Sequence, residues 1–524
     1  MWVRKWCHGA HVNPLQVGTQ TTPVSHCEVG SARADEGLLS DAASLEPMRA
    51  HPAGPRHGDV LTMPGAPVRP DSPELLNALD PSIWPRSVVR SPNPADHGAL
   101  QVAGHDVRDL AREFRTPLMV MDEADFRYRA ASFSAAFDHA GQGRVYYAAK
   151  AFLTSAIARW CIEEGLSIDV CTGGELACAL RAGVPGDRLI MHGNNKSSDE
   201  LARALDAGVG RIVIDSYEEI ARLGFLAAER DVVADVLVRI TVGVEAHTHE
   251  FIATAHEDQK FGFSLSGGSA LEAVRRVAAL PSLRLVGLHS HIGSQIFDSA
   301  GFEVAAHRVV EFAAELSRDL GITVGELNLG GGMGIAYIDG DDPLNVADMA
   351  SQLRRIVERE SAASGLPLPT IAVEPGRAIV GPTAITIYEV GTVKRVELDQ
   401  GHVRTYVSVD GGMSDNIRTA LYDADYTVRL ASRVSEAPAM LTRIVGKHCE
   451  SGDIVVRDAW LPSDVAPGDL LVLAATGAYC RPMASNYNYI PRGAVVAVRE
   501  GTTQVLLRRE TEDDLFALDM GLGD

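Results

Sequence analysis

Cysteine is scarce in this chain, with 7 among 524 residues, and no two of them form a Cys-x-x-Cys pair. Such numbers and spacing exclude a disulfide framework and argue against a structural zinc site, and they read as a protein of the reducing cytoplasm. Positive charge is also in deficit: 48 Lys and Arg stand against 69 Asp and Glu, a formal net charge of −21. Nucleic acid and anionic membrane surfaces need a basic face, so neither is expected as a partner. No apolar run reaches the length of about eighteen residues that a membrane helix needs. The basic opening Met1-Trp2-Val3-Arg4-Lys5 is followed by no apolar stretch, so no secretory signal is expected. What the chain does have is a 46% apolar content, ample for a buried core. Its length suits two or three domains at roughly 100–200 residues each.

Residues 1–80 are rich in Pro, Gly, His, Ser and Ala without apolar periodicity, and are expected to be disordered. Residues 81–122 form an N-terminal segment whose strand near Leu118–Met121 is expected to join a later β-rich domain. From Arg144 onward short β-rich runs recur: Val145–Tyr147, Ile168–Val170, Leu189–Met191, Ile212–Ile214, Val236–Ile240, Leu285–Leu288, Leu327–Leu329 and Ile371–Val373. Amphipathic stretches such as Ser198–Ala207 and Leu271–Leu280 lie between them. Eight such βα units predict an α/β fold, a (β/α)₈ barrel over residues 123–382, with an open doubly wound sheet as the competitor. Polar or special residues at nearly every strand's carboxyl end favour the barrel, because a barrel gathers all those ends around one mouth. After about residue 383 the runs Ile385–Val393, Thr405–Val409, Asp453–Val456 and Leu470–Ala474, broken by Gly and Asp turns, predict a β-rich domain over 383–524.

Lys150 ends the first barrel strand, in Val-Tyr-Tyr-Ala-Ala-Lys-Ala-Phe, and a lysine there faces the mouth. The bland alternative is a lysine that snorkels to solvent. A desolvated lysine of lowered pKa is what imine formation with an aldehyde requires. Gly330-Gly331-Gly332 and Gly376-Arg377 follow strands seven and eight, where such barrels commonly bind phosphate. Glycines there let backbone N–H groups approach an anion. Glu374 stands just after strand eight, and a carboxylate opposite the pyridine nitrogen of pyridoxal 5′-phosphate (PLP) strengthens that ring as an electron sink; an ordinary Glu–Arg rim pair is the alternative. His289 and His291, at i and i+2 on one strand, could instead serve a metal-dependent barrel hydrolase. His247, His249 and His256 lie in a polar stretch that reads as a lid. Convergent carboxylate support for a metal is not evident, so no metal is expected.

Taken together, Tyr147–Ala151, Asp169–Leu176, His192–Lys196, His289–Gln295, Glu374–Arg377, Asp410–Arg418 and His448–Asp453 resemble the diaminopimelate decarboxylases within the alanine racemase-like, fold type III PLP enzymes. The likeness runs from about Pro117 to Asp514. It implies PLP-dependent conversion of meso-2,6-diaminopimelate to L-lysine and CO₂, by a homodimer with active sites shared across the interface. Carried over, Lys150 matches the Schiff-base lysine, His291 the histidine stacked on the ring and Ser294 a phosphate contact. Gly331, Gly332, Glu374, Gly376 and Arg377 match the cofactor cradle, with Glu374 at the pyridine nitrogen. Cys449 matches the proton donor and Glu450 a substrate contact, both supplied by the second subunit. Arg377, Arg418 and Tyr422 match the residues that hold a substrate carboxylate, and Tyr479 one touching cofactor and substrate. A PLP-binding protein without catalysis is the remaining alternative.

Overall fold

The computed structural model describes residues 67–138, 143–243, 260–398 and 403–521. Eight parallel strands, Gly143–Ala148, Ser167–Val170, Leu189–Met191, Arg211–Ile214, Ala234–Thr241, Leu283–His289, Glu326–Asn328 and Thr370–Val373, pair in sequence order. The eighth then pairs with the first, Val373 opposite Val145, which closes the barrel and removes the open sheet from consideration. Alternation along the strands sends Tyr146, Ile190, Val213, Leu237 and Ala372 into the barrel interior as a packed plug. Their neighbours Tyr147, Ile168, Val170, Met191 and Val236 join the larger core beneath the surrounding helices.

The helices begin where the strand-end polar residues cap them. Thr154, Thr172, Ser197 and Ser216 each accept a backbone N–H of the first helical turn, and Ser197 forms a reciprocal capping box with Glu200. Part of the polar clustering at the strand ends therefore starts helices rather than doing chemistry. A two-residue strand, Phe263–Ser264, pairs with the end of the fifth barrel strand and has no counterpart in the sequence reading.

The second sheet is organised around one long strand, Ala384–Glu397. It pairs with Leu118–Asp122 and Leu470–Leu473 through its first half and with Val403–Val409 through its second. Leu118–Asp122 is buried along its whole length and also pairs with Ala494–Arg499. The chain thus enters the β-rich part, leaves to form the barrel, and returns. Strands Val428–Leu430, Ala439–Val445 and Thr502–Leu507 add to it and were not legible as strands. One expectation needs correction. Disorder through residue 80 does not hold for residues 67–80, where Pro73–Asn77 is helical with Leu76 buried. The Asn77 amide fastens it by donating to Ser435 O at 3.0 Å. Beyond it Ile83 and Trp84 are fully buried in a core shared with the β-rich strands. Too few apolar residues lie in this stretch to show a period, and Val68 and Leu75 stay exposed while Leu76 is buried. Residues 1–66 and the expected lid histidines His247, His249 and His256 lie outside the described residues.

Candidate active site

The barrel mouth opens into a cavity of about 500 Å³ bounded by both domains. Lys150, His291, Ser294, Gly331, Gly332, Glu374, Gly376, Arg377, Arg418, Tyr422 and Tyr479 all line it. The structure therefore brings together most of the residues singled out from sequence. Cys449 and Glu450 are exceptions: both are exposed and neither lines the cavity. Their turn is nonetheless well held, since Asn488 Oδ1 accepts from the Cys449 N–H at 3.1 Å and Asp453 accepts from the His448 N–H at 2.8 Å.

Lys150 sits in a single 3₁₀ turn, Ala149–Ala151, directly after the first strand. The turn is pinned from the β-rich domain, because the Tyr479 N–H donates to Ala151 O at 2.8 Å. The lowered pKa expected for Lys150 is not found. Burial does pull it down, but Cys171, Asp169, Tyr479 and Glu374 surround the ammonium and together raise it above its ordinary value. Lys196 is no rival, since its Nζ is spent on Glu219 at 2.7 Å, Gly193 O at 2.7 Å and Val213 O at 2.8 Å.

Glu374 is the electrostatic centre. Its Oε1 lies 2.8 Å from His192 Nε2 and accepts from Asn328 Nδ2 at 2.7 Å, and its Oε2 lies 3.2 Å from His289 Nε2. Burial pushes the carboxyl up, but the two histidines outweigh it and hold Glu374 well below the usual carboxylate range. His289 itself is lowered to about 4 by burial, against the pull of Glu374. The sequence pairing of His289 with His291 as metal ligands needs revision. The side chains that converge are His192, His289 and Glu374, with ligand atoms within 4.8 Å of one another. His291 turns away and accepts from the Gly331 N–H at 3.2 Å.

The glycines are spatially compelled. A Cβ on Gly331 would lie 2.2 Å from Glu374 O, and one on Gly332, whose φ is +113°, would lie 2.4 Å from Gly293 O. Gly376 packs against Ala148 and Ala151, where a Cβ would meet their methyl groups at 2.9 and 3.0 Å. Beside this cradle, Arg377 Nη2 donates to Ser294 Oγ at 2.9 Å, while its Nε is buried with no hydrogen-bond partner. A phosphorylated aromatic aldehyde fits these groups. The glycine cradle, the Ser294 hydroxyl and the Arg377 guanidinium would take its phosphate, Glu374 its ring nitrogen, and Lys150 its carbonyl carbon.

Sequence reasoning missed several residues. His192 and Asn328 position Glu374; the polar strand-end signal flagged His192 without assigning a task, and Asn328 was read only as part of the seventh strand. Tyr337 and Tyr426 contact the arginines, and nothing local marked them.

A family model described as the pyridoxal-dependent decarboxylase pyridoxal-binding domain matches residues 123–381. The chain is 57% identical over 481 residues to the diaminopimelate decarboxylase of Mycobacterium leprae, covering 90% of this chain and all of that one. The chain belongs to the diaminopimelate decarboxylase family. It is 50% identical to the enzyme of this name from Corynebacterium efficiens, over 87% of this chain and 98% of that one. It also resembles the diaminopimelate decarboxylase of M. jannaschii, solved with L-lysine: TM-score 0.76, 30% identity, 83% of this chain and 97% of that one. A family member's activity is PLP-dependent decarboxylation, a carboxy-lyase reaction. Among the described residues no helix is long and apolar enough to cross a membrane.

Proposed function

We propose that this protein decarboxylates meso-2,6-diaminopimelate to L-lysine and CO₂ in the cytoplasm, as a homodimer whose sites are completed across the interface. The observation that carries this reading is the cavity itself: it gathers Lys150, Glu374 and a glycine cradle suited to a phosphorylated aldehyde, and two arginines, Arg377 beside Ser294 and Arg418 from the β-rich domain, suited to anionic groups. Lys150 is the covalent attachment point of PLP. Gly331, Gly332, Gly376, Ser294 and Arg377 hold its phosphate end, His291 covers the ring, Glu374 serves the pyridine nitrogen, and Tyr479 borders cofactor and substrate. Bound PLP supplies an electron sink for the pair left when the carboxylate departs.

The chain's own groups do the rest. Arg418, with Arg377 and Tyr422, grips the substrate's distal carboxylate, where a guanidinium can offer two parallel hydrogen bonds. Burial opposes the charge on Arg418, but Tyr337, Tyr426 and Cys480 around it hold the guanidinium firmly protonated. Glu450 pairs with the distal ammonium and Cys449 delivers the proton that replaces CO₂. Both are exposed on this chain and absent from the lining of its own cavity, which fits their service to the site of a second subunit. The relative from M. jannaschii was solved with L-lysine, the product named here.

The test compares kcat/KM for meso-diaminopimelate, ornithine and L-lysine, with CO₂ release as readout. A site with buried donors for a distal carboxylate discriminates by about 10⁴–10⁵ against a ligand lacking it. Comparable values for ornithine and diaminopimelate would refute the substrate assignment.

A further inference from the structure

The two arginines come from different domains, and one side chain joins them. Arg377 begins the short helix after the eighth barrel strand, and Arg418 begins the helix Arg418–Tyr422 of the β-rich domain. The Tyr337 hydroxyl stands between them, accepting from Arg377 Nη1 at 2.7 Å and from Arg418 Nη1 at 3.0 Å. Tyr337 lines the same cavity yet is only 6% exposed. Two guanidiniums this close repel each other, and a shared phenol oxygen is a neutral acceptor with a lone pair for each. With both lone pairs used, the phenol hydrogen is left to donate elsewhere in the cavity.

Tyr337 is itself held from several directions. Its carbonyl accepts from the Thr427 N–H at 3.1 Å and from Thr427 Oγ1 at 2.8 Å, and its N–H donates to Asp341 Oδ2 at 2.9 Å. Its ring meets Tyr426 edge-on, centroids 5.3 Å apart, and Tyr426 OH is a second acceptor for Arg418 Nη1. Arg377 Nη2 is already committed to Ser294. The loop after the seventh strand therefore fixes the separation of the two arginines, although it supplies neither.

We infer that Tyr337 is a positioning and specificity-determining residue: its hydroxyl locks Arg377 and Arg418 into one clamp and contributes a donor of its own to the substrate's distal carboxylate. This deepens the reading above and rests on its assignment of Arg418 to that carboxylate. Tyr337→Phe keeps the ring against Tyr426 and the backbone bonds to Thr427, and removes only the bridge.

The experiment measures competitive inhibition of the PLP-loaded enzyme by L-lysine and by cadaverine, which differ in the carboxylate alone. Wild type, Tyr337→Phe and Arg418→Ala are compared. Loss of the bridge should raise the inhibition constant of L-lysine about tenfold, the worth of one hydrogen bond to a charged group. That of cadaverine should move less than about threefold on the same scale, and the KM for meso-diaminopimelate should follow L-lysine. Thr427→Val, which loosens Tyr337 from its far side, should shift the L-lysine constant in the same direction and serves if Tyr337→Phe folds poorly. An equal effect on both inhibitors, or none on L-lysine while Arg418→Ala weakens it, overturns the role of Tyr337 and leaves the substrate reading standing. If Arg418→Ala also leaves L-lysine binding intact, the carboxylate assignment fails and the inference fails with it.

Discussion

Replacing Glu374 with glutamine probes the electrostatic centre with almost no change in volume. In the native arrangement Asn328 Nδ2, His192 Nε2 and His289 Nε2 all approach carboxylate oxygens, at 2.7, 2.8 and 3.2 Å. Glutamine has one acceptor oxygen. If it faces Asn328 and His192, the new amide N–H meets the Nε2 of His289, and two donors confront each other. His289 must then carry its proton on Nδ1, a buried atom with no hydrogen-bond partner. Losing a hydrogen bond to a charged group costs about 1.5–3 kcal/mol, and leaving a donor buried and unpaired adds about 1–3 kcal/mol, so the sum is roughly 2.5–6 kcal/mol. Part of this appears as lost stability in urea unfolding of the PLP-loaded protein. The part felt during turnover lowers kcat/KM by about a hundredfold for each 2.7 kcal/mol. Glu374→Asp retains the charge but shortens the reach, and should fall between the two. A Glu374→Gln protein within about 0.5 kcal/mol of wild type in unfolding, a margin typical of surface substitutions, and with unchanged kcat/KM would refute this account of the site.

Lys150→Ala should abolish turnover and the visible absorbance of bound PLP, and borohydride reduction of the wild-type holoenzyme should attach the cofactor to the peptide containing Lys150; attachment at Lys196 or Lys260 would sink the assignment. Mixing inactive Lys150→Ala with inactive Cys449→Ala protein should restore part of the activity, because some mixed dimers hold one site with both native residues, whereas no recovery despite subunit exchange would exclude a shared site. Burial pushes the Asp415 carboxyl up to about 7, so this group is neutral in the fold at low pH and costs stability as pH rises from near 4 through 7. Asp415→Asn, which keeps an acceptor for the Gly412 N–H, should remove that slope and be more stable than wild type by at most about 4 kcal/mol at pH 8; parallel pH–stability curves for the two proteins would contradict the burial argument.

The barrel was legible because its determinants are local. A short apolar strand with polar or small residues at its carboxyl end recurs eight times, four of the following helices begin at a Ser or Thr cap, and each unit reports itself without reference to the others. The same holds for Lys150, Gly331, Gly332 and Glu374, whose place at a strand's carboxyl end is a matter of sequence position and whose convergence follows once the barrel closes. Leu118–Asp122 could be placed with the later domain because it is wholly apolar up to Asp122 and precedes the first unit. Harder were strands such as Ala439–Val445 and Thr502–Leu507, which carry polar residues and owe their conformation to the partner beside them.

Tertiary structure alone decided the rest. The charge on Lys150 is favoured by Asp169, Cys171, Glu374 and Tyr479, which arrive from two other strand ends and from the β-rich domain and oppose the effect of burial. Which histidine joins His289 was undecidable from an i, i+2 spacing, because His192 enters from the opposite side of the barrel mouth. Ile83 and Trp84 share a core with nearby Leu100, Val107 and Leu118 that is completed by strands formed hundreds of residues later, such as those of Ile385, Val472 and Val496. Tyr337 and Tyr426 carry no local motif, and their hydroxyls acquire meaning only when two arginines from two domains are brought to hydrogen-bonding distance. Patterns of propensity and period are properties of neighbouring residues and can be read along the chain; fields, shared acceptors and long-range cores are properties of groups in space and exist only once the chain has folded.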